Sequence, residues 1–206
     1  MTGINLSLDP VDHITVDAIG KPGNRIFYIQ GRQGGQVVSL IIEKIQLQSL
    51  IAGVGEFLKE VVAKYPERIS VDIDLKEDAM RILAPVDPKF RVGDMGLAYD
   101  DERDLVCIIA REMDIFQNEA NEDEDKAEHD GLEEKEDEGS AVRYWCTRGQ
   151  LLTLAHWGAV VLERGRPICP QCLQPMEPEG HFCPKKNGHK NLWLSDSRTA
   201  DLSRVP

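Results

Sequence analysis

From Ile14 onward apolar and polar positions alternate. Ile14, Val16 and Ala18 fall to one side of the chain, Thr15 and Asp17 to the other, as in a strand with one buried face. Lys21-Pro22-Gly23-Asn24 interrupts the pattern. Two more runs rich in β-branched and aromatic residues follow, 25–30 and 37–42, and Gly34-Gly35 between them supplies the positive φ that a tight hairpin needs. The chain therefore opens as a β-meander. The period then changes: Leu47, Leu50, Ile51, Val54, Leu58, Val61, Val62 and Tyr65 form one stripe of a helix that Pro66 ends. Gly53 and Gly55 each cost this helix roughly 1 kcal/mol relative to alanine. Close approach to a sheet is one reason for them, and simple tolerance is the other.

Further strands are predicted at 79–83, 91–98 and 104–111, with Asp100-Asp101-Glu102 turning between the last two. Val142-Arg143-Tyr144-Trp145 predicts a strand returning to the first sheet. Thr147 is placed to cap a second helix that carries Leu151, Leu154, Ala155, Gly158, Val161 and Leu162 and ends near Gly165. These elements predict an α+β fold: an antiparallel β-sheet body with one long and one shorter amphipathic helix. Nothing repeats at a fixed period, which excludes a solenoid.

The 206 residues suit one domain of ordinary size plus an appendage, and 41% hydrophobic with 29% charged residues allows a real core. The net charge of −12 is not spread over the chain. Residues 117–140 hold twelve acids against Lys126 and Lys135, a balance of −10. With only Ala120, Ala127 and Leu132 as apolar side chains, that run predicts a flexible, solvating insert, with a partner-binding segment as the alternative. The remainder carries no basic field, which argues against nucleic-acid binding. No secretory leader and no run of about 20 apolar residues is found, so the expected setting is cytoplasmic, with no membrane span.

Of five cysteines, Cys107 and Cys146 stand alone and three crowd between positions 169 and 183. Cys169-Pro170-Gln171-Cys172 is a C-x2-C knuckle, whose short turn aims two thiolates at one ion. Cys183 follows after a loop of zinc-ribbon size, flanked by His181 and His189. With His189 the second half reads C-x5-H, which the spacing favours; with His181 it reads H-x-C, which needs a sharper turn. Residues 174–180 have little to bury, so the segment is expected to fold only on metal. Four good donors predict a closed, structural Zn²⁺ site rather than a catalytic one with an open position. A redox C-x-x-C pair is the competing reading, but Pro170, Pro175 and Pro178 deny Cys169 the strand-to-helix setting of such pairs. The expected domains are a body over 1–164, a zinc-ribbon-like module over 165–192 and a tail over 193–206.

The run from Gly165 to Cys172, continued by Pro178 to Gly188 with its Gly180-His181-Phe182-Cys183-Pro184 unit, resembles a bacterial family known as domain of unknown function 3090. Arg25 to Gln30 with its glycine turn, Phe90 to Gly93, Leu97 to Asp100 and Val142 to Trp145 are similar to it too, so the resemblance covers nearly the whole chain. It implies His181 as fourth ligand, because an aromatic commonly occupies the place of His189 in that family. It implies no activity.

No phosphate-cradling glycine loop, serine nucleophile elbow or H-E-x-x-H is present. Gly31 to Gly35 is better explained as a hairpin turn. The leading functional expectation is a binding or adaptor protein, partnered by another protein, with the body and the zinc module as its interaction surface. The second is an enzyme with a site between body and module, drawing on Asp72, Asp74, Asp94, His13 or His156. Each of those has a plainer reading, as the solvent face of a strand or a satisfied structural histidine. The third is single-strand nucleic-acid binding, with Phe27, Tyr28 and Trp145 as exposed stacking rings beside a small patch of Lys185, Lys186 and Lys190.

Overall fold

A computed structural model describes residues 3–68, 71, 73, 75–113, 139–166, 169–176 and 180–185. The chain divides into two compact units, Met1–Arg164 and Gly165–Pro206. Among the described residues the first unit holds seven strands and two helices: β1 (Asn5–Leu8), β2 (His13–Lys21), β3 (Asn24–Gln33), β4 (Gln36–Ile42), α1 (Lys44–Lys64), β5 (Pro88–Asp100), β6 (Leu105–Glu112), β7 (Ala141–Thr147) and α2 (Arg148–Glu163). This is the α+β class the pattern predicts. The acidic run, except for its last two residues, lies outside the described residues, as do Asp72, Asp74 and His189.

The strands form a single sheet in the order β1-β7-β6-β5-β4-β3-β2. Four pairings are antiparallel, but β1 with β7 and β4 with β5 are parallel, so the sheet is mixed. The expectation of an antiparallel body overlooked that α1 lies between β4 and β5, and a helical crossover is what lets adjacent strands run parallel. β1 was not predicted, although Ile4, Leu6 and Leu8 alternate with Asn5 and Ser7; four residues are too few for the pattern to stand out.

β1 and β2 occupy opposite ends of the strand order, yet only residues 9–12 separate them. Five Cα steps reach about 19 Å, whereas six flat strand spacings would need about 29 Å. The sheet is therefore rolled. Within the connection, the Val11 N–H donates to Trp145 O on β7 and the Asp12 N–H to Arg32 O on β3, both at 2.8 Å. Tyr144 crosses the interior: its hydroxyl donates to Val38 O on β4 at 3.3 Å, and its ring lies against Gly31 on β3.

Ile14, Val16, Ile29, Leu40, Ile108 and Val142 line the inner face and share one core with Leu47, Leu50 and Val54 of α1 and Leu151, Leu154 and Trp157 of α2. The indole N–H of Trp157 donates to Val16 O at 2.7 Å, so α2 occupies the open edge of the end strand β2. Arg25 in turn donates to Val161 O, one of the unpaired carbonyls at the end of α2, at 2.8 Å.

The other face of β2–β4 carries a buried polar row, Thr15, Gln30 and Ser39, in direct cross-strand register. Residues 79–83 dock on it, and they form turns and irregular chain rather than the predicted strand. The Gln30 amide explains why: it accepts from the Leu83 N–H at 2.8 Å and donates to Leu83 O at 3.2 Å. Thr15 donates to Met80 O at 2.6 Å. Side chains here satisfy the backbone groups that a neighbouring strand would otherwise take.

Candidate metal centre

In the second unit, Cys169 and Cys172 are held by a tight turn. The Cys169 N–H donates to Gln174 O and the Leu173 N–H to Cys169 O, each at 2.9 Å. Leu173 takes a left-handed conformation at φ 60°, which reverses the chain directly after the second thiol. Backbone N–H groups of Cys172 and Gln171 point at the Cys169 sulfur and hold its thiol down at about 7, because hydrogen bonds to sulfur favour the thiolate.

The second half of the cluster comes from Gly180-His181-Phe182-Cys183. Gly180 sits at φ 103°, a conformation open to glycine and costly for other residues. It supplies the sharp turn that an H-x-C pair requires. As a result one ligand atom from each of Cys169, Cys172, His181 and Cys183 lies within 4.8 Å of the others. The Cys169 and Cys183 sulfurs are 3.8 Å apart, and the Cys172 sulfur is 3.1 Å from His181 Nε2. This group could hold a metal ion. The Gln171 side chain reaches the same place, with its Oε1 3.8 Å from the Cys183 sulfur.

Cys169 and Cys183 are the only buried residues among those described in this unit, while Leu173 and Phe182 are 71% and 74% exposed. Among the described residues, the buried part of the module is thus made of thiols and includes no apolar side chain.

The remaining sequence candidates among the described residues do not gather. His13 is on β2, with its pKa lowered by burial and by Arg32, and its Nε2 is buried without a hydrogen-bond partner. His156 is exposed on α2. Asp94 is exposed on β5, 3.4 Å from Arg111. A cavity of about 270 Å³ between α1 and β5 includes Asp94 but neither histidine. Phe27 is buried at 6% exposure rather than available for stacking, because β3 turns it into the core. Trp145 is half-buried, with the Arg103 guanidinium 5.3 Å from its ring centre. Cys107 and Cys146 are buried in β6 and β7, where burial pushes their thiols up to about 11 and about 12.

One polar cluster escaped the sequence reading. Asp104, at φ 52°, accepts from Arg148 Nε at 2.7 Å, from Arg148 Nη2 at 3.0 Å and from the Tyr99 hydroxyl at 2.7 Å. It ties the β5–β6 turn to the first residue of α2. The available signal was weak, an acid at the end of a run of turn acids and an arginine just inside a helix.

The model of a family described as "Protein of unknown function (DUF3090)" matches residues 6–183, a span that includes all four cluster residues. No curated protein and no solved structure matches the chain. Among the described residues, no helix is long and apolar enough to cross a membrane.

Proposed function

The chain belongs to the DUF3090 family of unknown function, which brings no activity with it, and from its own geometry we propose that Cys169, Cys172, His181 and Cys183 bind a structural Zn²⁺ in a protein-binding or adaptor protein. The observation that carries this reading is the meeting of three thiols and one imidazole within 4.8 Å. Tetrahedral zinc with Zn–S bonds of about 2.3 Å places two sulfurs about 3.8 Å apart, and Cys169 and Cys183 are separated by 3.8 Å. The same geometry asks for about 3.6 Å between sulfur and imidazole nitrogen. The 3.1 Å contact of Cys172 with His181 therefore opens by about half an ångström.

A soft donor set of this kind selects zinc over magnesium or calcium, which prefer oxygen. Four protein ligands leave no position for water, and this favours a structural role. His181 rather than His189 completes the set, since Gly180 provides the turn the shorter spacing demands. The binding role is supported by two apolar side chains that the described part of the module presents to solvent, Leu173 and Phe182, and by the scatter of His13, His156 and Asp94 over three elements.

Elemental analysis of the purified full-length chain tests the metal reading, with one zinc per chain expected. Less than a tenth of an equivalent after purification and zinc reconstitution defeats it. The adaptor reading is tested by in-cell cross-linking, comparing the chain with a Leu173→Ser, Phe182→Ser variant. Specific partners that the variant loses support it, and identical cross-links refute the assigned surface.

A further inference from the structure

The three thiols of the cluster are not equally covered. Cys169 and Cys183 are buried, while Cys172 is only partly buried. Each of the buried pair lies within 4.8 Å of the Cys172 sulfur. A disulfide needs about 2.05 Å, so bridge formation asks for a movement of no more than about 3 Å. Among the described residues of the module no apolar side chain is buried to resist that movement, and Leu173 and Phe182 point outward. The competing thiols are shut away, Cys107 at 1% and Cys146 at 0% exposure.

Resting on the metal reading above, we propose that the cluster is an oxidation site for hydroperoxides, entered at Cys172, and that its oxidation releases the ion. In the first step the Cys172 sulfur attacks one peroxide oxygen. The O–O bond breaks, an S–O bond forms, and the second oxygen leaves as hydroxide that takes up a proton. In the second step the sulfur of Cys169 or Cys183 attacks the Cys172 sulfur. The S–S bond forms, the S–O bond breaks, and the departing hydroxide is protonated to water. In sum, two thiolates, one hydrogen peroxide and two protons give one disulfide and two waters. Sulfur is oxidised, peroxide is reduced and the ion keeps its charge. One thiolate and His181 then remain, too few donors to retain a tetrahedral ion.

The test uses the full-length chain loaded with one equivalent of zinc and titrated with hydrogen peroxide. Released zinc is read with a colorimetric chelator, and bridges are mapped by mass spectrometry after alkylation. Release of one zinc per peroxide consumed is expected, with a bridge that includes Cys172, free Cys107 and Cys146, and recovery on adding dithiothreitol and zinc. Zinc that stays bound while peroxide is consumed overturns the proposal. A Cys169–Cys183 bridge, or oxidation that falls first on Cys107 or Cys146, does so too. A Cys172→Ser variant is expected to lose its remaining cluster thiols about tenfold more slowly. That count is made by alkylation and does not depend on bound metal; an unchanged rate overturns Cys172 as the entry point. A chain that takes up no zinc defeats the metal reading instead, and the same mapping on the metal-free chain still decides which thiol reacts first.

Discussion

Gly31 is the one position of β3 where a side chain cannot be added. A Cβ there would stand 2.4 Å from the ring of Tyr144, which is fully buried. Gly31→Ala must displace that ring from the centre of the rolled sheet, and overpacking of this kind costs about 1–3 kcal/mol. A lowered midpoint in thermal or urea unfolding is the expected result. Arg148→Leu acts at the other polar hub of the first unit. It removes two charge-assisted hydrogen bonds to Asp104, whose side chain is about one-third exposed, and a loss of about 1–3 kcal/mol is expected at neutral pH. The Arg148 hydrogen bond is the chief cause that holds the Asp104 carboxyl below its ordinary range. The stability it contributes is therefore complete above the unfolded-state value of about 3.9 and is lost as pH falls through the lower folded-state value. Urea titrations of both proteins should converge at acid pH and differ most above about pH 5.

At the scale of elements, local rules decided much. The Thr147 hydroxyl accepts from the Gln150 N–H at 3.1 Å, and the Gln150 side chain accepts from the Thr147 N–H at 2.9 Å, the capping box that starts α2. The two hairpin turns sit where glycine marks them, with Gly23 at φ 94° and Gly34 at φ 56°. The helix glycines were harder to read. Gly53 and Gly55 of α1 have nothing within 4 Å of an added Cβ, so close approach to the sheet is not their purpose. The close approach belongs to Gly158 of α2, where a Cβ would meet Ile51 and Leu47 of α1 at 3.1 Å. Alanine should therefore act unequally: Gly53→Ala is expected to stabilise by about 0.5–1 kcal/mol, and Gly158→Ala by less, because the side chains of Ile51 and Leu47 must give way to the added methyl. Chemical denaturation of the two variants checks the order. The segment 79–83 shows why β-propensity alone misleads, since its backbone partners are the side chains of Gln30 and Thr15.

At the scale of the whole molecule, the two units rest on different physics. The first has a continuous apolar core that joins sheet and helices, while the described residues of the second comprise buried thiols and exposed apolar groups. Chelation of the zinc-loaded chain is accordingly expected to abolish hydrogen-exchange protection across 169–176 and 180–185. Protection in β2, β3 and β4 should stay unchanged, because a core of that kind does not draw on the ion. Equal loss in both regions, or no loss in either, would contradict this division.

What the chain could announce by itself was whatever short-range chemistry encodes: strand and helix periods, turn glycines, the Thr147 cap and the C-x2-C knuckle with Cys183 downstream. Each depends on residues a few positions apart, whose backbone preferences and donor types are fixed by their own covalent structure. The rest required the fold. Which strands run parallel, that the sheet rolls until Tyr144 reaches β4, and that Asp104 finds Arg148 all join distant residues. Contacts of that kind are selected by the packing of the entire core, which no local pattern specifies.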